Sequence, residues 1–352
     1  MKVGITTRTP FDKARNILIR GTNWIGDAIM TLPAVSAIRN TFPSAKISVL
    51  ARPWVAEIFN ICKDIDEVIV FKSPGPHSGI AGKLKLAKEL KAGRFDTAIL
   101  LQNAIEAAII TRLAGIPVRC GYNSDARGFL LTHSVHRTED IRKVHQIQYY
   151  LEMVKSLGCL SAEAKVHLHP GNEYQILSEK IFSKHAIVRE RLIIGMAPGA
   201  TYGAAKRWLP ERFAAVSDRL IEDLSAQVVL FGSREDRKTT DIVEQHARHP
   251  MINLAGKTNL KEAIALISKC TLFISNDSGL MHVAGALNIP TVAIFGSTNP
   301  VTTSPVGDRS IVIYKGAPCS PCLKETCPTD FRCMEMISVE EVYRTAKGLL
   351  TQ

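Results

Sequence analysis

No apolar run in this sequence approaches the roughly 20 residues of a bilayer-spanning helix, which leaves a helical integral membrane protein without support. The opening stretch, Met1 to Ala14, is polar and lacks the apolar core of an export signal, so the chain is expected to stay in the cytoplasm with this segment as an overhang. Aromatic residues make up only 6% and form no run interleaved with Lys or Arg, so the stacking platform of single-strand nucleic-acid binding is thin. The dinucleotide spacing G-x-G-x-x-G is missing, as are the P-loop spacing, HExxH and GxSxG. A nicotinamide enzyme, a P-loop ATPase, a zinc protease and a serine hydrolase therefore have no support.

Apolar content of 46% and charged content of 22% are those of a globular protein, and 352 residues allow two domains of ordinary size. The charge is uneven. Residues 1–170 carry 23 Lys/Arg against 14 Asp/Glu, whereas 171–352 carry 21 against 19. A basic N-terminal half suits an anionic partner, nucleic acid, lipid or an acidic saccharide, or it is a solvated basic face.

Short β-rich runs alternate with helical patterns along the whole chain. Strands are predicted at Ile17 to Arg20, Ile47 to Ala51, Glu67 to Phe71, Thr97 to Leu101, Leu192 to Met196, Val228 to Phe231, Leu272 to Ser275, Thr291 to Phe295 and Ile311 to Tyr314. Helices fall between them, and Val339 to Leu350 reads as a last amphipathic helix. Repeated βα units imply doubly wound parallel sheets. Periodicity is lost near Val166 to Gly171. The expectation is an N-terminal domain over 15–168, a second over 172–337, and a closing helix over 338–352 that could pack back toward the first.

Four stretches could carry chemistry. Ile274 to His282 is strand, small polar turn and helix, which presents backbone N–H groups to an anion. There Asn276 and Asp277 suit the N-cap, Gly279 lets a ligand approach the backbone closely, and His282 lies one turn into the helix; an ordinary capped helix with a packed histidine is the alternative. Thr22, Asn23, Gly26 and Asp27 form the loop after the first strand, where Asp27 is either a helix cap or a base facing a ligand. Ala197 to Trp208 places Gly199, Thr201 and Lys206 after a strand, a set that suits phosphate oxygens. Glu235 or Asp236, after another strand, could hold ribose hydroxyls or cap a helix. Asp64-Ile65-Asp66 precedes its strand and reads as a turn.

Eight cysteines without an export signal argue against a disulfide framework. Cys62, Cys120, Cys159 and Cys270 sit among apolar neighbours and read as core residues. Cys319, Cys322, Cys327 and Cys333, four thiols within fifteen residues, could close a structural zinc site or form a reduced packed knot.

Gly26-Asp27 after its loop, Pro198-Gly199-Ala200 with Lys206-Arg207-Trp208, Phe231-Gly232-Ser233, and Asn276-Asp277-Ser278-Gly279-Leu280-Met281-His282 together resemble the lipopolysaccharide heptosyltransferases, from about Ile17 to about Leu350. Within that family the resemblance leans to the members that add the second heptose of the inner core. It implies a GT-B fold, two Rossmann-like domains facing a central cleft, with nucleotide-sugar on the C-terminal side and acceptor on the N-terminal side. The implied donor is ADP-L-glycero-D-manno-heptose, the acceptor heptosyl-Kdo-lipid A, and the reaction inverts the anomeric centre. In that scheme Asp27 is the base, and Lys206 with the amides of Ser278 and Gly279 stabilises the departing diphosphate without a metal cofactor. Thr201 donates to phosphate, Glu235 or Asp236 holds the ribose, and Asp277 and His282 orient donor or loop. The enzyme would sit peripherally on the inner face of the cytoplasmic membrane, with Lys83, Lys85, Lys88 and Lys91 as candidate contacts and no nucleic acid expected. Heptosyltransferase I or III, or another nucleotide-sugar transferase, keeps the fold and changes the substrates. A basic nucleic-acid or membrane-surface protein is the non-enzymatic alternative.

Overall fold

A computed structural model describes residues 14–351. The polar opening stretch, apart from Ala14, lies outside the described residues. The chain divides between Lys165 and Val166 into two compact units. The first runs β1 (Asn16–Arg20), α1 (Ile25–Thr41), β2 (Lys46–Ala51), α2 (Ala56–Asn60), β3 (Glu67–Val70), α3 (Gly79–Ala92), β4 (Thr97–Leu100), α4 (Ile105–Leu113), β5 (Val118–Tyr122), β6 (His133–Val135) and α5 (Gln146–Ser156). The second opens with α6 (Asn172–His185), then β7 (Ile193–Ala197), α7 (Pro210–Leu224), β8 (Gln227–Leu230), α8 (Arg237–His246), β9 (Ile252–Asn253) and α9 (Leu260–Ile267). It continues with β10 (Leu272–Asn276), α10 (Gly279–Ala286), β11 (Thr291–Phe295), α11 (Pro300–Thr303), β12 (Ser310–Tyr314), α12 (Arg332–Glu335) and α13 (Val339–Leu350).

Each unit is built on a six-stranded parallel sheet, ordered β3-β2-β1-β4-β5-β6 in the first and β12-β11-β10-β7-β8-β9 in the second. Both follow the Rossmann order, reversing direction between β1 and β4 and between β7 and β10. The central strands are covered on both faces and therefore read as unbroken apolar runs; every residue of β4, β7 and β11 is buried. In the first unit α3 and α4 cover one face, where Leu18, Leu50, Leu86, Leu100 and Ile110 share a core. In the second, Ile194, Met196, Trp208, Phe213, Leu230 and Ile274 form the centre of a larger core.

Local signals set several boundaries. Pro210 opens α7, Asn259 and Glu262 form a capping box at α9, and the Ser338 hydroxyl accepts from the Glu341 amide to cap α13. The buried face of α13, Val342, Tyr343, Ala346 and Leu349, joins the second unit's core. Its four apolar positions at helical spacing find a ready-made partner in α7 and strand β11. Asp64 and Asp66 lie in a turn tied to α1 by Ser36 and Arg39, as a turn reading expects.

Candidate functional site

In a parallel sheet the strand C-termini at the order reversal leave a crevice for ligands, because the loops there diverge to opposite faces. In the second unit those ends are Ala197 of β7 and Asn276 of β10, registered one residue apart. The Pro198 to Trp208 loop and the Asp277-Ser278 turn therefore meet there by topology.

Asn276 is fully buried and stitches the two together: its Oδ1 accepts from the Trp208 amide at 2.9 Å and its Nδ2 donates to the Pro198 carbonyl at 2.8 Å. The expected N-cap role for Asn276 and Asp277 is thereby corrected. Their side-chain oxygens have stronger partners, and the N-cap of α10 is Ser278, in extended conformation and without a side-chain capping bond. The Ser278 hydroxyl instead meets Ser275 Oγ at 3.0 Å. The first turn of α10 thus has no capping side chain competing with an anion for its amides.

Asp277 is buried, and its Oδ2 accepts from Lys206 Nζ at 2.7 Å and from Thr298 Oγ1 at 2.7 Å. Lys206 is itself mostly covered, its side chain 16% exposed, and lies 5.2 Å from the centroid of the Tyr202 ring. The lysine is held at the crevice by a buried carboxylate, an arrangement that fixes a positive charge while leaving a small part of the side chain open to solvent. Thr201 is exposed, Gly279 half-buried, and His282 buried within α10. Thr298 is a residue the sequence reading missed; a lone threonine after a strand carries no signal of its own.

Asp236 is turned inward. Its Oδ2 accepts from the Ser233 amide at 2.9 Å and the Ser233 hydroxyl at 2.8 Å, and Arg207 lies 3.8 Å from Oδ1. A Cβ at Gly199 would come within 2.2 Å of this carboxylate, so any larger residue at 199 would clash with Asp236 where it stands. Glu235 is exposed, and the backbone amide and Ser233 hydrogen bonds hold its carboxyl below the usual range. Of the two acidic residues, Glu235 is the one whose carboxylate faces solvent, while Asp236 is buried.

The loop is also held from far along the chain. Gly203 has an extended backbone pressed against Glu325, where a Cβ would lie 2.2 Å from the carbonyl oxygen. The Glu325 carbonyl accepts from the Ala205 amide at 2.9 Å, and Tyr202 Oη donates to the Leu323 carbonyl at 2.9 Å. The cysteine-rich segment is thus a brace for the Lys206 loop. All eight cysteines are free thiols, and among the described residues no group of three or more His, Cys, Asp or Glu is arranged to hold a metal ion. Burial raises the thiol of Cys159 to about 11 and those of Cys120 and Cys270 to about 12, as core cysteines should behave, whereas Cys62, raised to about 11, is only half-buried and lies short of the core position expected for it.

In the first unit the order reversal falls between β1 and β4, and the Gly21 to Asp27 turn leaves β1 there. Arg20 is buried beneath it, with Nη2 donating to Asn23 Oδ1 at 2.9 Å and Nη1 to the carbonyl of Leu50 at 3.2 Å. Burial first, and the charge of Arg52 second, lower its guanidinium to about 9, which leaves it cationic at neutral pH. Trp54 Nε1 donates to the Asn23 carbonyl at 2.7 Å, and the buried Thr22 hydroxyl has no hydrogen-bond partner among the described residues. Gly26 is buried in the first turn of α1. The cap reading of Asp27 is corrected: the N-cap is Trp24, and Asp27 occupies the third helical position, half-buried. Its charge bears on Tyr150 of α5, whose phenol is raised well above its ordinary value, by burial first and Asp27 second.

The sequence profile of glycosyltransferase family 9 (heptosyltransferase) matches residues 83–331. The chain is 33% identical over 309 residues to lipooligosaccharide heptosyltransferase 2 of Haemophilus influenzae, covering 85% of this chain and 88% of that one. Among solved structures it resembles E. coli ADP-heptose lipopolysaccharide heptosyltransferase II, with a TM-score of 0.78, 28% identity, and 96% and 99% of the two chains covered. A family 9 glycosyltransferase from Veillonella parvula matches with a TM-score of 0.84 and 26% identity over 96% and 97%. The two-sheet α/β architecture is that of the GT-B heptosyltransferases.

Proposed function

This chain belongs to glycosyltransferase family 9, the heptosyltransferases, and from that premise we propose that it moves L-glycero-D-manno-heptose from ADP-heptose to heptosyl-Kdo-lipid A, adding the second heptose of the lipopolysaccharide inner core. The observation that carries the donor side is the Lys206 ammonium fixed by Asp277 beside the amides that open α10. Negative charge grows on the diphosphate as the bond from the anomeric carbon to its oxygen breaks, and a preorganised cation with backbone donors stabilises that charge most in the transition state. Thr201 adds a hydroxyl to the phosphates and Glu235 meets the ribose. Asp277 acts through Lys206, and Asp236 acts through the backbone of Gly199.

On the acceptor side, Asp27 takes the proton of the attacking hydroxyl as its oxygen bonds to the anomeric carbon from the face opposite ADP, which inverts the centre. The buried Thr22 hydroxyl and the Asn23 carbonyl, fixed by Trp54, border the same turn. Because Lys206 and the α10 amides supply positive charge, the reaction needs no divalent cation. Among the described residues no helix is long and apolar enough to cross a membrane, and the enzyme meets its lipid-anchored acceptor as a peripheral protein on the inner face of the cytoplasmic membrane.

The test is turnover with ADP-heptose and monoheptosylated Kdo-lipid A, with and without a chelator. Transfer unaffected by chelation is expected; transfer only to unheptosylated Kdo-lipid A would make the chain a heptosyltransferase of the first type, and loss on chelation would remove the metal-free scheme.

A further inference from the structure

Helices on the flank of a sheet ordinarily turn polar side chains to water, and α4 does not. Its inward positions Ala107, Ala108, Ile110 and Thr111 are buried against the sheet. Its outward line, Ile105, Ile109 and Leu113, repeats every four residues and is 37%, 41% and 51% exposed. α3 packs alongside and adds Ile80 at 81% and Leu84 at 51%, while the turn Gly128–Leu130 touches α4 and adds Phe129 at 77%. Single exposed apolar residues need no explanation, but a contiguous group of large ones marks an interaction surface.

The rim of this face is basic. Lys85, Lys88 and Lys91 are exposed on α3, and Arg112 lies in the last turn of α4. The two carboxylates on these helices are engaged: Glu106 by Lys83 at 2.7 Å and Arg52 at 3.6 Å, Glu89 by His77 at 3.1 Å. We propose that the α3–α4 face is a docking surface for an anionic lipid bilayer, its apolar side chains entering the headgroup boundary and its lysines meeting lipid phosphates. Charge selects this occupant. A second copy would bring the same basic rim against itself, and a nucleic acid would leave the apolar centre unused. The inference rests on the reading of a lipid-anchored acceptor, which gives a surface enzyme its reason to dock.

The test uses the full chain and vesicles without acceptor, of phosphatidylcholine alone or enriched in phosphatidylglycerol, followed by sedimentation. Binding to the anionic vesicles is expected. The I109S/L113S variant should bind about tenfold less tightly, and K88Q/K91Q should lose about fivefold per lysine, an effect that raised salt reproduces in the parent. ADP affinity, read in the same samples, should not change. Variants that bind as the parent does, or a parent indifferent to lipid charge, would overturn the assignment, as would variants that alter only the sedimenting mass of the free protein. Vesicle binding without heptose transfer would count against the catalytic reading alone. Transfer to detergent-dispersed acceptor with no vesicle binding would count against this one alone.

Discussion

Lys206 Nζ lies 2.7 Å from Asp277 Oδ2, across 71 residues of sequence. The Asp277 side chain is 5% exposed and the Lys206 side chain 16%, so the pair is lopsided: Asp277 is committed to holding, and Lys206 keeps some opening toward a second anion. A diphosphate arriving at the α10 amides would share the lysine with Asp277 and leave the carboxylate still satisfied by Thr298.

Lys206→Ala is therefore expected to lower kcat by about 10²–10³, the usual effect of deleting one donor to a developing oxyanion. Asp277→Asn should lower it less, because the cation survives and only its position is lost. Steady-state kinetics with a thermal melt for each variant separate chemistry from unfolding; equal losses in the two would remove the distinction between holder and donor.

Asp27 sits at the third position of α1 and not at its cap, so replacing it should not unravel the helix start. Asp27→Asn is expected to lose at least about 10² in turnover, the low end for a general base, with ADP affinity unchanged. Near-normal turnover would remove Asp27 as the base.

Asn276 makes two hydrogen bonds at a fully buried position. Asn276→Ala should cost about 2–4 kcal/mol, from two orphaned buried groups, and weaken donor binding as the Pro198 loop loosens. Chemical denaturation and ADP titration read the two effects.

Much of this was legible before the fold. Thr291–Phe295 and Val339–Leu350 have the bounds their apolar patterns predict, because one is a short run covered on both faces and the other a clean amphipathic repeat. Helix α6 was not legible: between Asn172 and His185 it buries only Tyr174, Ser178, Ile181 and Phe182 in a polar background. Strand β6, three residues at a sheet edge, is too short to show a period. Lys206, Asp277 and Asp236 could each be picked out as residues after strands. Which of them is exposed could not, since that depends on contacts that only the fold makes: Ser233 holds Asp236 inward, and Asp277 finds Lys206.

The brace behind the Lys206 loop gives a test by glycine. Gly203→Ala would drive a Cβ to 2.2 Å from the backbone oxygen of Glu325, and backbone cannot swing aside as a side-chain tip can. The variant should lose about 1–3 kcal/mol and turn over more slowly, with faster thiol labelling in the 319–327 segment. Unchanged labelling would mean the segment is not held by this contact.

Thiol chemistry should distinguish the cysteines within that segment. Burial opposes ionisation of Cys327, but hydrogen bonds from Thr329 and the Phe331 backbone outweigh it and lower the thiol below its ordinary value; Cys333 is raised, by burial first and the neighbouring thiols second. Iodoacetamide near neutral pH is expected to modify Cys327 well before Cys333, with the gap narrowing as pH rises and Cys333 ionises. Peptide mass spectrometry at timed intervals reads the order.

The two sheets draw their strands from separate continuous stretches, none crossing from one to the other. During synthesis the ribosome therefore delivers the last strand of the first sheet, ending at Val135, before it begins the first strand of the second at Ile193. Among the described residues no strand of the first sheet must wait, unpaired and exposed, for a late-made partner, so the order of manufacture is also an order in which each sheet can close on itself.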